Sequence, residues 1–185
     1  MFLSAPTSSF HARLALFLAL AMAGVVGAAL AFEHLGGYIP CKLCLQQRWP
    51  YYIGAPLMAL AAFSAWQGLS NALTRVLLII GAALMAYGLY LAVYHSGVEW
   101  AFWPGPNDCA AAATKIETSA GNLLSAINES HPPSCDKAAL RILGLSMAGW
   151  NFVASMILAG ASFFAATRPM RTDTANEPVN IPAEA

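Results

Sequence analysis

Charged residues are scarce in this chain. Lys, Arg, Asp and Glu together make up 10% of its 185 residues, and the nine basic residues balance the nine acidic ones. A soluble domain usually carries about 25% charged residues, so this composition is typical of a membrane protein. A net charge of zero also argues against nucleic acid as a partner, because binding to phosphates requires a basic surface.

Hydrophobic residues, in contrast, make up 58% of the chain. Four apolar runs cover residues 14–32, 50–66, 76–94 and 145–166. Each approaches the roughly 20 residues that a spanning helix needs, and a helix satisfies its own backbone hydrogen bonds, as lipid demands. The predicted fold is therefore an all-α membrane protein with a four-transmembrane-helix bundle. Glycines such as Gly24 and Gly81 are predicted to let the helices approach closely.

The first run has a second interpretation, as a cleaved signal peptide, because Ala29-Leu-Ala31 has the small residues of a cleavage site. Its apolar stretch is longer than the usual core of a signal sequence, about 7–15 residues, and three more runs follow. We therefore expect a first span.

Four spans place both termini on one side of the membrane and the loops 33–49 and 95–144 on the other. All four cysteines fall in these loops, and disulfides persist in the periplasm but not in the cytosol. The predicted topology therefore has cytoplasmic termini and periplasmic cysteine loops, and the basic residues near the span ends slightly favour it. The transmembrane domain is predicted over residues 1–167, and residues 168–185 are predicted to form a disordered cytoplasmic tail.

The long loop is predicted to carry a short helix over residues 110–128. Apolar residues recur there at helical spacing: Ile116, Leu123, Leu124 and Ile127. That pattern suits a helix lying on the membrane surface with its apolar side down. It suits equally a helix packed against a soluble loop domain.

A Cys-x-x-Cys, formed by Cys41 and Cys44, stands between Pro40 and Pro50 at the start of the second run. The partial positive charge of a helix N-terminus favours a thiolate over a thiol. Arg48 would lie on the same face as Cys44, one turn later, and an arginine at this depth is a functional candidate. A simpler interpretation is that Arg48 reaches out to lipid headgroups.

The other two cysteines, Cys109 and Cys135, lie in the long loop among turn-rich flanks that are predicted to be exposed. A disulfide between them would close a loop of about 25 residues, worth around 3 kcal/mol if it were purely structural. An exposed disulfide is also accessible to another protein's thiol, as exchange requires. Spacing alone leaves both roles open.

A four-cysteine zinc site is disfavoured, because such sites use two close-spaced pairs and only one is present.

Other polar and aromatic residues lie at the ends of the runs. His95 follows the third run near the expected level of Cys41, where it could hydrogen-bond a cofactor, shuttle a proton or have no role. Glu33 and His34 end the first run and are expected to be solvated. The aromatic residues at the run ends are most simply interfacial anchors: Trp49, Tyr51, Tyr52, Tyr94 and Trp150.

Several segments together resemble the signature of the DsbB family of bacterial disulfide-bond formation proteins. They are Pro40-Cys-Lys-Leu-Cys-Leu-Gln-Gln-Arg-Trp-Pro-Tyr51, Tyr94-His-Ser-Gly-Val-Glu-Trp-Ala-Phe-Trp-Pro-Gly-Pro106, Pro133-Ser-Cys-Asp136 and Leu143-Gly-Leu-Ser-Met-Ala-Gly-Trp-Asn151. The resemblance covers nearly the whole chain and omits only the C-terminal tail.

This resemblance implies a thiol:quinone oxidoreductase of the bacterial inner membrane. A reduced periplasmic oxidase with a thioredoxin fold, of the DsbA type, would attack a disulfide between Cys109 and Cys135. Cys109 would form the mixed disulfide, and Cys135 would pass the electrons to Cys41. Cys44 would then reduce the quinone, either ubiquinone or menaquinone. Arg48 would stand on the quinone side, and His95 is grouped with it as a candidate for cofactor binding.

Two other functions stay open on the sequence. A reductase of the vitamin K epoxide reductase type also combines a four-helix bundle with Cys-x-x-Cys, but its redox motif falls late in the chain, whereas here it follows the first span. A membrane scaffold with two structural disulfides would pass no electrons from thiols to quinone.

Overall fold

The computed structural model describes residues 9–106 and 135–170. Within these ranges the chain forms α1 (Ser9–His34), α2 (Lys42–Trp66), α3 (Asn71–Glu99), a hairpin of β1 (Arg141–Ile142) and β2 (Leu145–Ser146), and α4 (Met147–Thr167). The described part is thus mainly helical, as predicted. The helix predicted over residues 110–128, Cys109 and residues 171–185 of the tail lie outside the described residues.

The helices pack as neighbours in chain order. α2 packs along both α1 and α3, and α3 packs along α4, whereas α1 and α4 contact each other much less. Short connections between α1, α2 and α3 make consecutive helices antiparallel. The buried core lies along the bundle axis and includes Met22, Met58, Met85 and Leu158. The seam between α1 and α4 is therefore the loosest contact between neighbouring helices.

The outer face of the bundle is strongly apolar. Many large apolar side chains, such as Phe17 and Leu20 of α1, are exposed, as expected of helices surrounded by lipid. Three of the described helices are long and apolar enough to cross a membrane, namely α1, α3 and α4. α2 is less apolar, because its first two turns carry Lys42, Gln46, Gln47 and Arg48. A fourth crossing, over residues 50–66, stays a prediction.

Small residues bring some of the helices close together. A Cβ atom at Gly81 of α3 would lie 2.4 Å from Cε of Met58, and one at Gly88 would lie 3.4 Å from Oγ of Ser155. A Cβ at Gly24 would meet nothing within 4 Å. Close approach is therefore confirmed at Gly81 and wrong at Gly24, which faces outward.

Candidate functional site

The Cys-x-x-Cys opens α2. Cys41 is the N-cap residue, with extended backbone (φ −75°, ψ 171°), and its Sγ accepts the backbone N–H of Cys44 at 3.4 Å. The helix thus begins at Lys42, eight residues before Pro50, and both sulfurs lie at its positive end.

The two sulfurs form a reduced, hydrogen-bonded pair. Both cysteines are free, and their Sγ atoms lie 3.2 Å apart. Either thiol could donate in this hydrogen bond, but the surroundings favour Cys44 as donor, since the Cys44 N–H and the His95 ring also face the sulfur of Cys41. The pair therefore shares one proton, which sits on Cys44 and points at a Cys41 thiolate.

The charge of this pair follows from those contacts. The hydrogen bond from Cys44, helped by His95 and opposed by burial, lowers the pKa of Cys41 to about 4. The same hydrogen bond, together with burial, raises the pKa of Cys44. Arg48 lowers the pKa of Cys44, but it is the weakest of the influences on that thiol. In the reduced pair the thiolate is therefore on Cys41.

His95 of α3 lies beside this thiolate. Its Nε2 is 3.8 Å from Sγ of Cys41, and its Nδ1 is 2.8 Å from Nε2 of Gln47. The same Gln47 nitrogen lies 3.4 Å from the backbone carbonyl oxygen of Leu91, which can only accept. The amide nitrogen of Gln47 is therefore a donor to Nδ1, and the proton of the neutral imidazole is on Nε2.

A second pair of side chains fixes the same orientation of Gln47. Asn151 of α4 donates from Nδ2 to Oε1 of Gln47 at 2.6 Å, and the hydroxyl of Tyr51 donates to Oδ1 of Asn151 at 2.6 Å. Ser155 Oγ lies 2.8 Å from the same hydroxyl. This hydrogen-bond chain links α4, α2 and α3, and it points the Nε2–H of His95 toward Cys41.

A carboxylate stands on the other side of the same N–H. Oε1 of Glu99 lies 3.8 Å from Nε2 of His95, one helical turn along α3, and both side chains are 4% exposed. Oε2 of Glu99 is buried and has no hydrogen-bond partner among the described residues.

Arg48 forms an ion pair with Glu33 of α1 and lies 3.5 Å from the backbone oxygen of Ala29. Glu33, which was expected to be solvated, is 28% exposed, and its carboxylate is paired with Arg48 at the site. The Arg48 side chain is 12% exposed, so it is held within the bundle and does not extend to the surface.

These groups surround one cavity of about 380 Å³. Residues of α1 and α4 supply much of its apolar wall, including Val25, Val26, Phe32, Met147 and Ala154. Its polar edge is formed by Glu33, Cys41, Cys44, Arg48, His95, Glu99 and Lys137. The cavity therefore lies between α1 and α4, which contact each other much less than the other neighbouring helices do.

Cys135 lies against the cysteine motif. It is disulfide-bonded and 3% exposed, and it forms a buried cluster with Cys41, Leu43 and Val98. The expectation of exposure is therefore wrong for Cys135 itself. Its predicted partner, Cys109, lies outside the described residues.

Cys41, Cys44 and His95 also have the spacing of metal ligands, with their ligand atoms within 4.8 Å of one another. A metal would need the lone pair of Nε2, and that nitrogen carries the proton because Gln47 donates to Nδ1. The site therefore fits thiol chemistry better than a metal centre.

Sequence reasoning missed four members of the site: Gln47, Tyr51, Glu99 and Asn151. Tyr51 was assigned as an interfacial anchor, which is wrong, since it is 1% exposed and hydrogen-bonded to Asn151. Trp49 and Tyr52 are exposed, as an anchor requires. The sequence did carry a signal for the amide and carboxylate residues among them. Burying such a group in an apolar segment is costly, so a residue of this kind is usually functional.

Comparison with known proteins confirms the resemblance. A sequence profile described as "Disulfide bond formation protein DsbB" matches residues 11–165. "Disulfide bond formation protein B" of Marinobacter nauticus is 30% identical over 154 residues, which cover 80% of this chain and 88% of that protein. The protein of the same name from Albidiferax ferrireducens is 28% identical over 142 residues, or 76% and 79% of the two chains. No solved structure gives a significant match.

Proposed function

We propose that this chain, which belongs to the DsbB family of disulfide bond formation proteins, is a thiol:quinone oxidoreductase of the bacterial inner membrane. It reoxidises a periplasmic oxidase of the DsbA type and passes the electrons to a membrane quinone. One observation carries the proposal: Cys41 belongs to one buried cluster with Cys135 and also shares an apolar cavity with Cys44 and Arg48.

Electrons enter at the second cysteine pair. The partner's dithiol exchanges with a Cys109–Cys135 disulfide, so that the partner leaves oxidised and two thiols stay behind. The thiolate of Cys135 attacks Sγ of Cys41 in a Cys41–Cys44 disulfide, and Cys44 leaves as a thiolate. Cys109 then closes on Cys135 and releases Cys41. The net change is two electrons moved to the Cys41–Cys44 pair, and the presence of Cys135 and Cys41 in one buried cluster supports this order.

The same geometry makes the protonation state of Cys44 depend on whether Cys41 is free or bonded to Cys135. Its pKa is raised first by the hydrogen bond to Cys41. Once Cys41 is bonded to Cys135, that influence is gone and the positive charge of Arg48 still favours the thiolate. Cys44 is therefore favoured as a thiolate in the intermediate in which Cys41 is bonded to Cys135, and it is a protonated thiol in the reduced pair.

The cavity suits a quinone, ubiquinone or menaquinone, as electron acceptor. Its wall is mainly apolar, as an aromatic ring and an isoprenoid tail require, and its volume lies within the range of small-molecule sites. Arg48 offers N–H donors for a carbonyl oxygen, and Glu33 holds its side chain in place. A bound quinone supplies an acceptor for two electrons and two protons. Such an acceptor is needed because a DsbA-type oxidase, at about −120 mV, is itself a strong oxidant.

In the proposed topology, residues 50–66 form a fourth crossing, both termini are cytoplasmic, and the cysteines face the periplasm. The polar first turns of α2 then lie at the periplasmic surface, which accounts for the modest hydropathy of that helix. Residues 1–167 form the transmembrane domain, with 168–185 as a cytoplasmic tail.

Steady-state quinone reduction by the purified protein in detergent tests the proposal. The electron donor is a reduced thioredoxin-fold oxidase, and ubiquinone and menaquinone analogues are offered in turn. We expect turnover by the parent protein and a loss of at least about 100-fold in Cys44→Ser, since the nucleophile is removed. An absence of turnover with both quinones, with all cysteines shown to be in disulfides, would favour the structural scaffold.

A further inference from the structure

A second cavity, of about 480 Å³, lies between the end of α3 and the start of α4. Its lining residues, within the described part of the chain, are all different from those of the cavity beside the cysteines. Both helices are long and apolar enough to cross a membrane, and the cavity lies at the end of α3 that carries His95. The second cavity is therefore at a membrane surface, at the same end of the bundle as the cysteine motif.

Aromatic side chains from the turn after α3 form one wall of this cavity. Trp100, Phe102 and Trp103 all line it, and all three are exposed on their outer side. Trp103 is held in place, because its ring stacks on Tyr94 and its indole N–H donates to the backbone oxygen of Tyr94 at 2.9 Å. Exposed aromatic rings of this kind collect at the level of lipid head groups. The cavity thus opens where head groups and the first acyl carbons lie.

The β-hairpin places a cation at the edge of the same cavity. Arg141 of β1 lines the cavity and pairs with Ser146, the N-cap residue of α4. The indole N–H of Trp150 donates to the backbone oxygen of Ile142 at 3.0 Å, so the hairpin is also tied to the first turn of α4. The backbone of Arg141 is therefore fixed relative to the helix, and its exposed side chain is available to a ligand.

The charge of the cavity selects an anion. Arg141 is the charged residue among those described that line it, and no acidic side chain is among them. The ion pairs found in the described part of the chain involve other residues, so the guanidinium group has no acidic partner there. A phosphate matches the planar guanidinium group, whereas an ammonium head group would find no carboxylate. Charge complementarity thus favours a lipid whose phosphate is its sole charged group.

We propose that this cavity is a binding site for an anionic phospholipid with an uncharged head-group alcohol, as in phosphatidylglycerol. The phosphate binds Arg141, and an acyl chain runs from the cavity along Val93 of α3 and Phe152 of α4. Basic pockets between spanning helices take anionic head groups in this way. The cavity is smaller than a whole phospholipid, so the rest of the molecule stays in the bilayer. This inference does not depend on the electron path.

The hydroxyl of Ser96 supports an oxygen-rich ligand at the inner end of the cavity. Ser96 lines the cavity, and its Oγ is buried without a hydrogen-bond partner among the described residues. A buried hydroxyl without a partner is costly. An ester oxygen of the glycerol backbone would accept its proton, which an acyl chain alone could not do.

Thermal unfolding of the full-length protein, freed of lipid in an uncharged detergent, tests the site. A ligand that binds the folded state raises the unfolding temperature in proportion to its affinity. Short-chain phosphatidylglycerol, phosphatidylcholine with the same chains and inorganic phosphate are titrated in turn. We expect phosphatidylglycerol to stabilise the parent at concentrations about 10-fold lower than phosphatidylcholine, and inorganic phosphate to have no effect.

Arg141→Gln should need about 10-fold more phosphatidylglycerol than the parent for the same stabilisation, because a charged hydrogen bond is lost. Arg141 is exposed, so this variant should fold. Arg13→Gln is the matched control, since it removes an exposed arginine at the opposite end of the bundle, and it should respond as the parent does. An unchanged response in Arg141→Gln, or equal stabilisation of the parent by the two lipids, overturns the proposal. Stabilisation by inorganic phosphate at the same concentration as the lipid would mean a site for free anions and also overturns it.

Photolabelling locates the lipid independently of stability. Phosphatidylglycerol with a diazirine on its acyl chain is added to the protein, and the labelled residues are identified by mass spectrometry. We expect labels at Val93 and Phe152 in the parent and their loss in Arg141→Gln, with labelling of the exposed Phe17 of α1 retained in both. If residues 107–134 of this chain fill the cavity instead, Val93 and Phe152 will not be labelled in the parent, and the proposal fails. Labelling in a protein that reduces no quinone would leave the lipid site standing while the proposed function fails.

Discussion

Nε2 of His95 lies 3.8 Å from Sγ of Cys41, although 54 residues separate the two in sequence. This contact joins the end of α3 to the first residue of the Cys-x-x-Cys. With Nδ1 accepting from Gln47, the ring presents an N–H to the sulfur. The contact favours the thiolate of Cys41 in the reduced pair, in addition to the larger effect of the hydrogen bond from Cys44.

The hydrogen bond from Cys44 should dominate the acidity of Cys41. Cys44→Ala removes the donor and should raise the pKa of Cys41 well above about 4, whereas Cys44→Ser keeps an O–H donor and should raise it less. Ultraviolet absorbance of the thiolate as a function of pH measures both variants. Equal titration in Cys44→Ala and the parent would show that Cys44 does not donate to Cys41.

The lowered pKa of Cys41 also predicts how the stability of the reduced protein depends on pH. The folded pKa of Cys41 is depressed relative to a free thiol, at about 8.5. Stability from the thiolate is therefore fully present above pH about 8.5 and is lost as pH falls toward about 4. Thermal unfolding of reduced parent and Cys41→Ser across this range should show a difference that grows with pH. A difference that is constant across the range would contradict the assignment.

The tautomer of His95 should depend on Gln47. Gln47→Glu replaces the amide donor by an acceptor, so the proton should move to Nδ1 while Asn151 still donates to the new carboxylate. Nitrogen NMR of the labelled imidazole distinguishes the two tautomers. We expect Nε2–H in the parent and Nδ1–H in the variant, and an Nδ1–H parent would contradict the hydrogen-bond chain.

The planar guanidinium group of Arg48 should control the affinity for the quinone. Arg48→Met removes the donor and leaves Glu33 without its partner, so KM for the quinone should rise by about 10-fold, or about 1.4 kcal/mol. Arg48→Lys keeps the charge but loses the planar guanidinium group, so its KM for the quinone should lie between those of the parent and Arg48→Met. Exchange between the partner's thiols and this protein should not change. An unchanged KM in Arg48→Met would place the quinone elsewhere.

The end of α3 should tolerate no side chain at Gly97. A Cβ there would lie 2.0 Å from the ring of Trp103, which stacks on Tyr94 and donates to its backbone oxygen at 2.9 Å. Gly97→Ala should therefore destabilise the protein by about 1–3 kcal/mol, measured by thermal unfolding in detergent. Gly24→Ala, where nothing lies within 4 Å, is the control. Equal stability of the two variants would contradict the packing.

Much of the bundle could be predicted from hydropathy alone, because a span long enough to cross lipid must be helical. The start of α2 at the cysteine motif was also predictable, from the flanking prolines and the chemistry of a helix N-terminus. The helices nevertheless run beyond the apolar runs; α3, for example, ends at Glu99. This matters, since the last turn of α3 carries both His95 and Glu99.

The polar network could not be predicted, because its members are far apart in sequence. Tyr51 and Asn151 are 100 residues apart, and Gln47 and His95 are 48 apart. Each is a polar residue in or beside an apolar run, and no local spacing connects them. Similarly, the sequence shows Glu33 only as a residue at the end of a span, because its contact with Arg48 depends on the packing of α1 against α2.

Anaerobic single turnover tests the electron path most directly. Reduced partner oxidase is mixed with the protein and one equivalent of quinone, and the partner's thiols, the quinone and any mixed disulfide are followed together. In the parent, quinone loss should equal partner oxidation. In Cys135→Ser, Cys109 has no disulfide to exchange with the partner, so the partner's thiols should stay reduced and the quinone should stay oxidised. Quinone reduction in Cys135→Ser at the parent's rate would show that electrons reach Cys41 without passing through Cys135.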